Sequence, residues 1–174
     1  VHNGIIENFA ERRTELLAEG VEFQSQTDTE VAAALIASSY NKLGTGNLTE
    51  AVRVASNRME GAFTILAVHA DHPDQVVATR RNSPLVIGLG ENENFLGSDV
   101  SAFIDHTKEA VEMGQDQIVT IPSPDYPLIY FVVHPAAGKP FHIEWDAAAA
   151  EKGRYNSFMQ QQISEQPTPR EPTL

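Results

Sequence analysis

The hydrophobic period of this chain changes near Phe63, and that change limits the folds open to it. Before Phe63 the apolar residues recur at helical spacing; after it they form short runs bounded by turn residues. After a turn at Asn3-Gly4, Ile6, Phe9, Leu16 and Leu17 share one helical face, Glu11, Arg12, Arg13 and Glu15 fill the other, and Gly20 is the expected stop. Thr27-Asp28-Thr29-Glu30 reads as a capping box, with Thr27 as cap and Glu30 reaching back to it. The helix it opens carries Val31, Ala34 and Leu35, and Gly44 and Gly46 break it. Asn47-Leu48-Thr49-Glu50 starts a third helix with Leu48, Ala51, Val52 and Ala55 on its apolar side.

Strands are expected at 63–68 and 75–79 around a polar turn at 69–74, then at 85–89 and 93–98 around Gly90. A short helix near 101–106 separates these from strand-like stretches at 110–113 and 117–120. Helices followed by blocks of strands predict an α+β layered-sheet fold. The proline-rich 166–172 stretch cannot continue a helix and reads as a linker.

Composition removes several function classes. Acidic residues outnumber basic ones 24 to 12, for a net charge of −12, which argues against nucleic acid as a partner and reads as solubility. No apolar run approaches the ~20 residues that cross a bilayer, so no membrane partner is expected and a cytoplasmic location follows by default. The chain has no cysteine, which excludes a disulfide framework, a cysteine zinc site and a thiol nucleophile within these residues. His69 and His72 are the one close histidine pair, and their Asp- and Pro-rich setting reads as an exposed hairpin turn rather than a metal site. Gly88 and Gly90 lack the GxxxxGK pattern of a phosphate loop, and no Gly-x-Ser-x-Gly elbow is present.

Two short segments carry chemistry. An asparagine side-chain amide beside a glycine backbone N–H supplies two donors for the oxyanion that forms when a carboxamide is attacked. Asn3 and Gly4 are such a pair, although Asn-Gly alone is also an ordinary turn. A fixed carboxylate suits a substrate with an α-ammonium, and Asp28 supplies one in a position that also favours the first turn of a helix.

His2-Asn3-Gly4-Ile5-Ile6-Glu7-Asn8 resembles the oxyanion segment of class II glutamine amidotransferases, in particular the glutaminase domain of the glutamine–fructose-6-phosphate aminotransferases. Thr27-Asp28-Thr29-Glu30, Ser83 to Gly90 and Glu93 to Asp99 are similar to further segments of that domain. Phe141 to Asp146, Tyr155 to Met159 and Ile163 to Pro167 follow in the order of its exit toward a sugar-isomerase half, which separates the match from the amidophosphoribosyltransferase branch. The resemblance implies a four-layer αββα N-terminal-nucleophile hydrolase sandwich missing its first strands, with the glutaminase part at 1–165 and the start of a linker at 166–174. It implies Asn3 and Gly4 as the oxyanion hole and Asp28 as the ligand of the glutamine ammonium. It implies glutamine as substrate, fructose 6-phosphate as acceptor through a second domain, a homo-oligomeric parent enzyme, and no metal or organic cofactor. His2 needs no role as a general base, because in these hydrolases the free amine of the N-terminal cysteine serves.

The chain departs from the family in three places. The nucleophilic cysteine and the upstream arginine segments that bind the glutamine carboxylate are absent, Gln161-Gln162 replaces a usual Lys-Glu, and Leu128 to Val133 is unusually apolar. That last run is either a buried strand or an aggregation-prone edge. The chain by itself is therefore expected to be inert toward glutamine, to expose an unpaired sheet edge, and to be marginally stable or self-associating. A class II amidotransferase with another acceptor, and a non-catalytic glutamine-binding module, are the alternative readings.

Overall fold

The computed structural model describes residues 1–91, 93–122, 130–131 and 138–144. The polar linker at 166–172, Gln161-Gln162, the segment from Tyr155 to Met159, and most of the 128–133 run lie outside the described residues. Strand β1 (His2–Ile6) leads into three helices, α1 (Phe9–Ala18), α2 (Asp28–Leu43) and α3 (Leu48–Ser56). The strands that follow are β2 (Gly61–His69), β3 (His72–Arg81), β4 (Val86–Leu89) and β5 (Asn94–Gly97). After a 3-10 turn at Val100–Ala102 come β6 (Glu109–Glu112), β7 (Ile118–Pro122), β8 (Tyr130–Phe131) and β9 (Lys139–His142).

The strands form two antiparallel sheets. One has the order β1-β2-β3-β7-β8 and the other β5-β4-β6-β9. Because strand side chains alternate between faces, β2, β3 and β7 of the first sheet divide their residues between two cores. Ile6, Phe63, Ile65, Val77 and Ile118 pack against Leu16, Val31, Leu35, Leu48 and Val52 of the helices. Their neighbours Ala78, Val119 and Ile121 pack instead against Ile87, Val111 and Met113 from the second sheet. The outer face of that sheet is covered by Phe103 and Ile104, which join Val86 and Ala110 in a third cluster. The layers are thus helices, sheet, sheet and a short outer cover, an α+β sandwich as the sequence predicts.

Gly88 is needed for the outer cover. A Cβ there would lie 2.6 Å from the Phe103 ring, which is 1% exposed. Phe103→Ala should cost about 3 kcal/mol or more by leaving a ring-sized void; urea denaturation checks it, and a loss below about 1 kcal/mol would contradict this packing.

Several local expectations are corrected. Asn3-Gly4 is not a turn: it lies inside β1, so Ile6 points into the core from a strand, and α1 starts only at Phe9. Leu17 is 51% exposed while Leu16 is buried, since adjacent helical residues point about 100° apart. The expected six-residue turn at 69–74 shrinks to Ala70-Asp71, with His69 paired to His72 across a bulge. The apolar 128–133 run, read as either a buried strand or an edge, needs no such correction: its described part, Tyr130–Phe131, is a strand at the end of the first sheet, paired with β7 at Val119 and Thr120.

The capping box is half formed. Thr27 Oγ1 accepts from Glu30 N at 3.3 Å, but the Glu30 carboxylate accepts from Gln24 N, Ser25 N and Ser25 Oγ rather than from the cap residue. Those bonds, the Ser25 hydroxyl first and the Gln24 amide second, hold the Glu30 carboxyl below its ordinary pKa. A carboxyl lowered on folding stabilises above its ordinary pKa, and that contribution is lost as the pH falls through the lowered value. Wild type should therefore lose stability on acidification more steeply than Glu30→Gln below about pH 4. Acid titrations of the two proteins by circular dichroism check this, and superimposable curves would refute it.

Candidate functional site

The candidate residues lie on β1 and on the first turn of α2, which hydrogen-bond to each other. β1 pairs with β2 on one side, and among the described residues its other side is unpaired. Val1 exchanges both backbone bonds with Leu66, at 2.8 and 2.9 Å, and Glu7 N donates to Glu60 O at 2.9 Å. In an antiparallel ladder the residues between such bonded positions turn their amides the other way. His2, Gly4 and Ile6 therefore aim their N–H groups at the open side.

One of these amides is already taken. Ile6 N donates to Asp28 Oδ2 at 3.0 Å, so the carboxylate predicted to bind a substrate ammonium also ties β1 to α2. The Gly4 amide lies two residues away on the same side. Gly4 adopts φ +130°, and a Cβ there would stand 2.1 Å from Ala62 O. Only glycine lets the strands approach this closely while the amide faces outward. Gly61 on the facing strand is under the same constraint, with φ +114° and Ile5 O at 2.4 Å from a built Cβ.

Asn3 points to the opposite face of β1 from Ile6, and its Nδ2 donates to Ser98 Oγ through a long 3.5 Å contact. Asn3 and Gly4 are both exposed, so their donors are open to a ligand. Asp99, next to Ser98, is committed elsewhere: its carboxylate accepts from Ser101 N at 2.8 Å, and hydrogen bonding to Ser101 holds its pKa low. Ser98 was legible in the sequence only as part of a strand.

His2 is the residue whose place the sequence did not reveal. Its side chain is 4% exposed, and Nδ1 lies 2.9 Å from Thr29 Oγ1 and 4.0 Å from Asp28 Oδ1. Nε2 is buried without a protein partner among the described residues. Read as a strand, the period of two would have placed His2 with Gly4 and Ile6 on the helix side.

Of the three predicted residues, Gly4 lies on β1 between His2 and Ile6, which both reach α2 at Thr29 and Asp28, whereas the Asn3 side chain leaves the other face of the strand toward Ser98. His69 and His72 do not join them. They sit at the β2–β3 turn around Tyr40, His69 stacked on its ring at 4.2 Å between centroids and His72 Nε2 3.1 Å from its hydroxyl. Among the described residues no three or more His, Asp or Glu side chains gather closely enough to hold a metal ion. Nor is any described helix long and apolar enough to cross a membrane.

Residues 1–105 match the family model described as "Glutamine amidotransferase domain". Over all 174 residues the chain is 61% identical to a Corynebacterium glutamicum protein named glutamine–fructose-6-phosphate aminotransferase [isomerizing], covering 28% of its length. Proteins of the same name from Streptomyces coelicolor and Mycobacterium tuberculosis are 55% and 53% identical, each over 96% of the chain. The chain therefore spans between a quarter and a third of the curated relatives it matches. Among solved structures, a glutamine phosphoribosylpyrophosphate amidotransferase from B. subtilis aligns with TM-score 0.61 at 21% identity, over 84% of this chain and 29% of that one. At that identity the likeness speaks for the fold alone.

Proposed function

The chain belongs to the glutamine amidotransferase domain family, and from that premise we propose that it is part of the glutaminase half of a glutamine–fructose-6-phosphate aminotransferase. In this reading a cysteine thiol outside these residues attacks the carboxamide carbon of glutamine. The carbonyl electron pair moves onto oxygen, and Asn3 Nδ2 and Gly4 N–H stabilise that charge. Collapse expels ammonia and leaves a glutamyl thioester, which water hydrolyses. Ammonia then serves a second domain that aminates fructose 6-phosphate to glucosamine 6-phosphate. Asp28 holds the α-ammonium of glutamine through Oδ1, its other oxygen being engaged by Ile6 N.

The observation that carries this reading is the outward-facing Gly4 amide. A strand residue forced to be glycine by a backbone 2.1 Å from its would-be Cβ, with its N–H on the open side, is built for close approach of another atom. The Asp28 carboxylate, bound to the Ile6 amide two residues along, gives the same opening a charged partner for an amino acid.

Ammonia release tests it. The 174 residues contain no thiol, so purified chain should release none from glutamine above blank, whereas a full-length protein carrying these residues together with a cysteine nucleophile should release it. Release by the chain itself after rigorous repurification would overturn the thiol mechanism; a silent full-length protein would overturn the assignment. In that protein Asp28→Asn should raise the glutamine KM about tenfold or more, since a charge-assisted hydrogen bond to the substrate is lost.

A further inference from the structure

We infer that His2 is a positioning residue that, through Thr29, fixes where the Asp28 carboxylate stands relative to Asn3 and Gly4. The inference rests on the reading of Asp28 as the ammonium ligand.

The first turn of α2 is fastened to β1 at two points. At one, Ile6 N donates to Asp28 Oδ2 at 3.0 Å; at the other, His2 Nδ1 hydrogen-bonds Thr29 Oγ1 at 2.9 Å. Gly4 lies midway, two residues from each. A single tie would let the helix end pivot about Ile6, changing the distance from Asp28 to the Gly4 amide. The second tie removes that freedom.

The imidazole suits the task. It is 4% exposed, so packing holds its ring, while Thr29 is exposed and would otherwise be free to rotate. Nδ1 also stands 4.0 Å from Asp28 Oδ1, the oxygen left for a ligand, so the ring limits where that carboxylate swings. Glutamine has a fixed span between its carboxamide and its α-ammonium. A site that grips both ends gains from holding its own two ends at a matching distance.

The test uses the chain itself, which has no thiol with which to turn glutamine over. Amide chemical shifts are titrated with glutamine and with glutaramate, the same molecule without its amino group, and the ratio of the two dissociation constants is the readout. Wild type should prefer glutamine about tenfold or more. Asp28→Asn should bring the ratio close to one. His2→Phe, which keeps a ring but loses Nδ1, should do the same, and His2→Asn, which restores a polar atom near the Nδ1 position, should recover most of the preference. Thr29→Val removes the same bond from the exposed side and should act like His2→Phe, which covers the case of a His2→Phe chain that does not fold. A merely structural histidine would weaken both ligands together and leave the ratio intact, and that result would overturn the inference. If wild type shows no preference, or Asp28→Asn retains it, the Asp28 reading itself fails and the His2 inference with it. If Asp28→Asn abolishes the preference while His2→Phe and Thr29→Val keep it, the His2 inference alone fails.

Discussion

Gly4→Ala should be among the most damaging single methyl additions in this chain. Its φ of +130° is one that an L side chain rarely adopts, at a cost of about 1–3 kcal/mol. The methyl would also overlap Ala62 O at 2.1 Å and Phe63 Cα at 2.7 Å, and both are backbone atoms that cannot rotate aside. Relief requires β1 to lift from β2, which pulls Ile6, fully buried, out of the helix-side core. A combined loss of about 4 kcal/mol would take a large part of the roughly 5–15 kcal/mol that holds a domain together and lower the melting temperature by about 10 °C. Gly20→Ala is the matched control. Gly20 also has positive φ, +87°, but nothing lies within 4 Å of its would-be Cβ, so it should cost about 1 kcal/mol. Equal melting temperatures for the two variants would show that the close contact between β1 and β2 is wrong.

Asn3→Ala should show the reverse pattern, a stable protein with a failed reaction. Asn3 is exposed and its side-chain hydrogen bond among the described residues is the long 3.5 Å approach to Ser98, so the fold loses little. Removing one oxyanion donor typically lowers kcat by about 10²–10³, or ~2.7–4 kcal/mol. In a full-length protein that carries the cysteine, kcat for glutamine hydrolysis should fall by that factor while KM changes little, because the charge it meets appears only after attack. A kcat within threefold of wild type would remove Asn3 from the oxyanion hole and leave Gly4 alone in that proposal.

The layered architecture was legible because each layer writes its own period. Leu48, Ala51, Val52 and Ala55 recur as a helix must, and all are buried. Val77 and Ala78, or Ile118 and Val119, are adjacent apolar residues because both faces of the first sheet are covered, by helices and by the second sheet. β1 was illegible for the opposite reason. His2-Asn3-Gly4 holds no β-branched residue, and its Asn-Gly pair carries the strongest local turn signal available. Pairing with β2, far along the chain, overrides that signal. The same long-range pairing hid His2, since a residue read as part of a loop has no face. Glu30 shows a subtler limit: its spacing from Thr27 fits a capping box, yet the preceding Gln24 and Ser25 amides compete for its carboxylate and win.

The open side of β1 sets a problem of solubility as well as chemistry. An amide poised for a substrate oxygen is, to another polypeptide, an invitation to add a strand. Here the strand is only five residues long, and Asp28 withdraws one of its outward amides. What remains open among the described residues is little more than the stretch around Gly4, so in the proposed reading glutamine and a stray strand would compete for the same few ångströms. Glutamine should then act as a dispersant, slowing whatever self-association light scattering detects for this chain by occupying the opening.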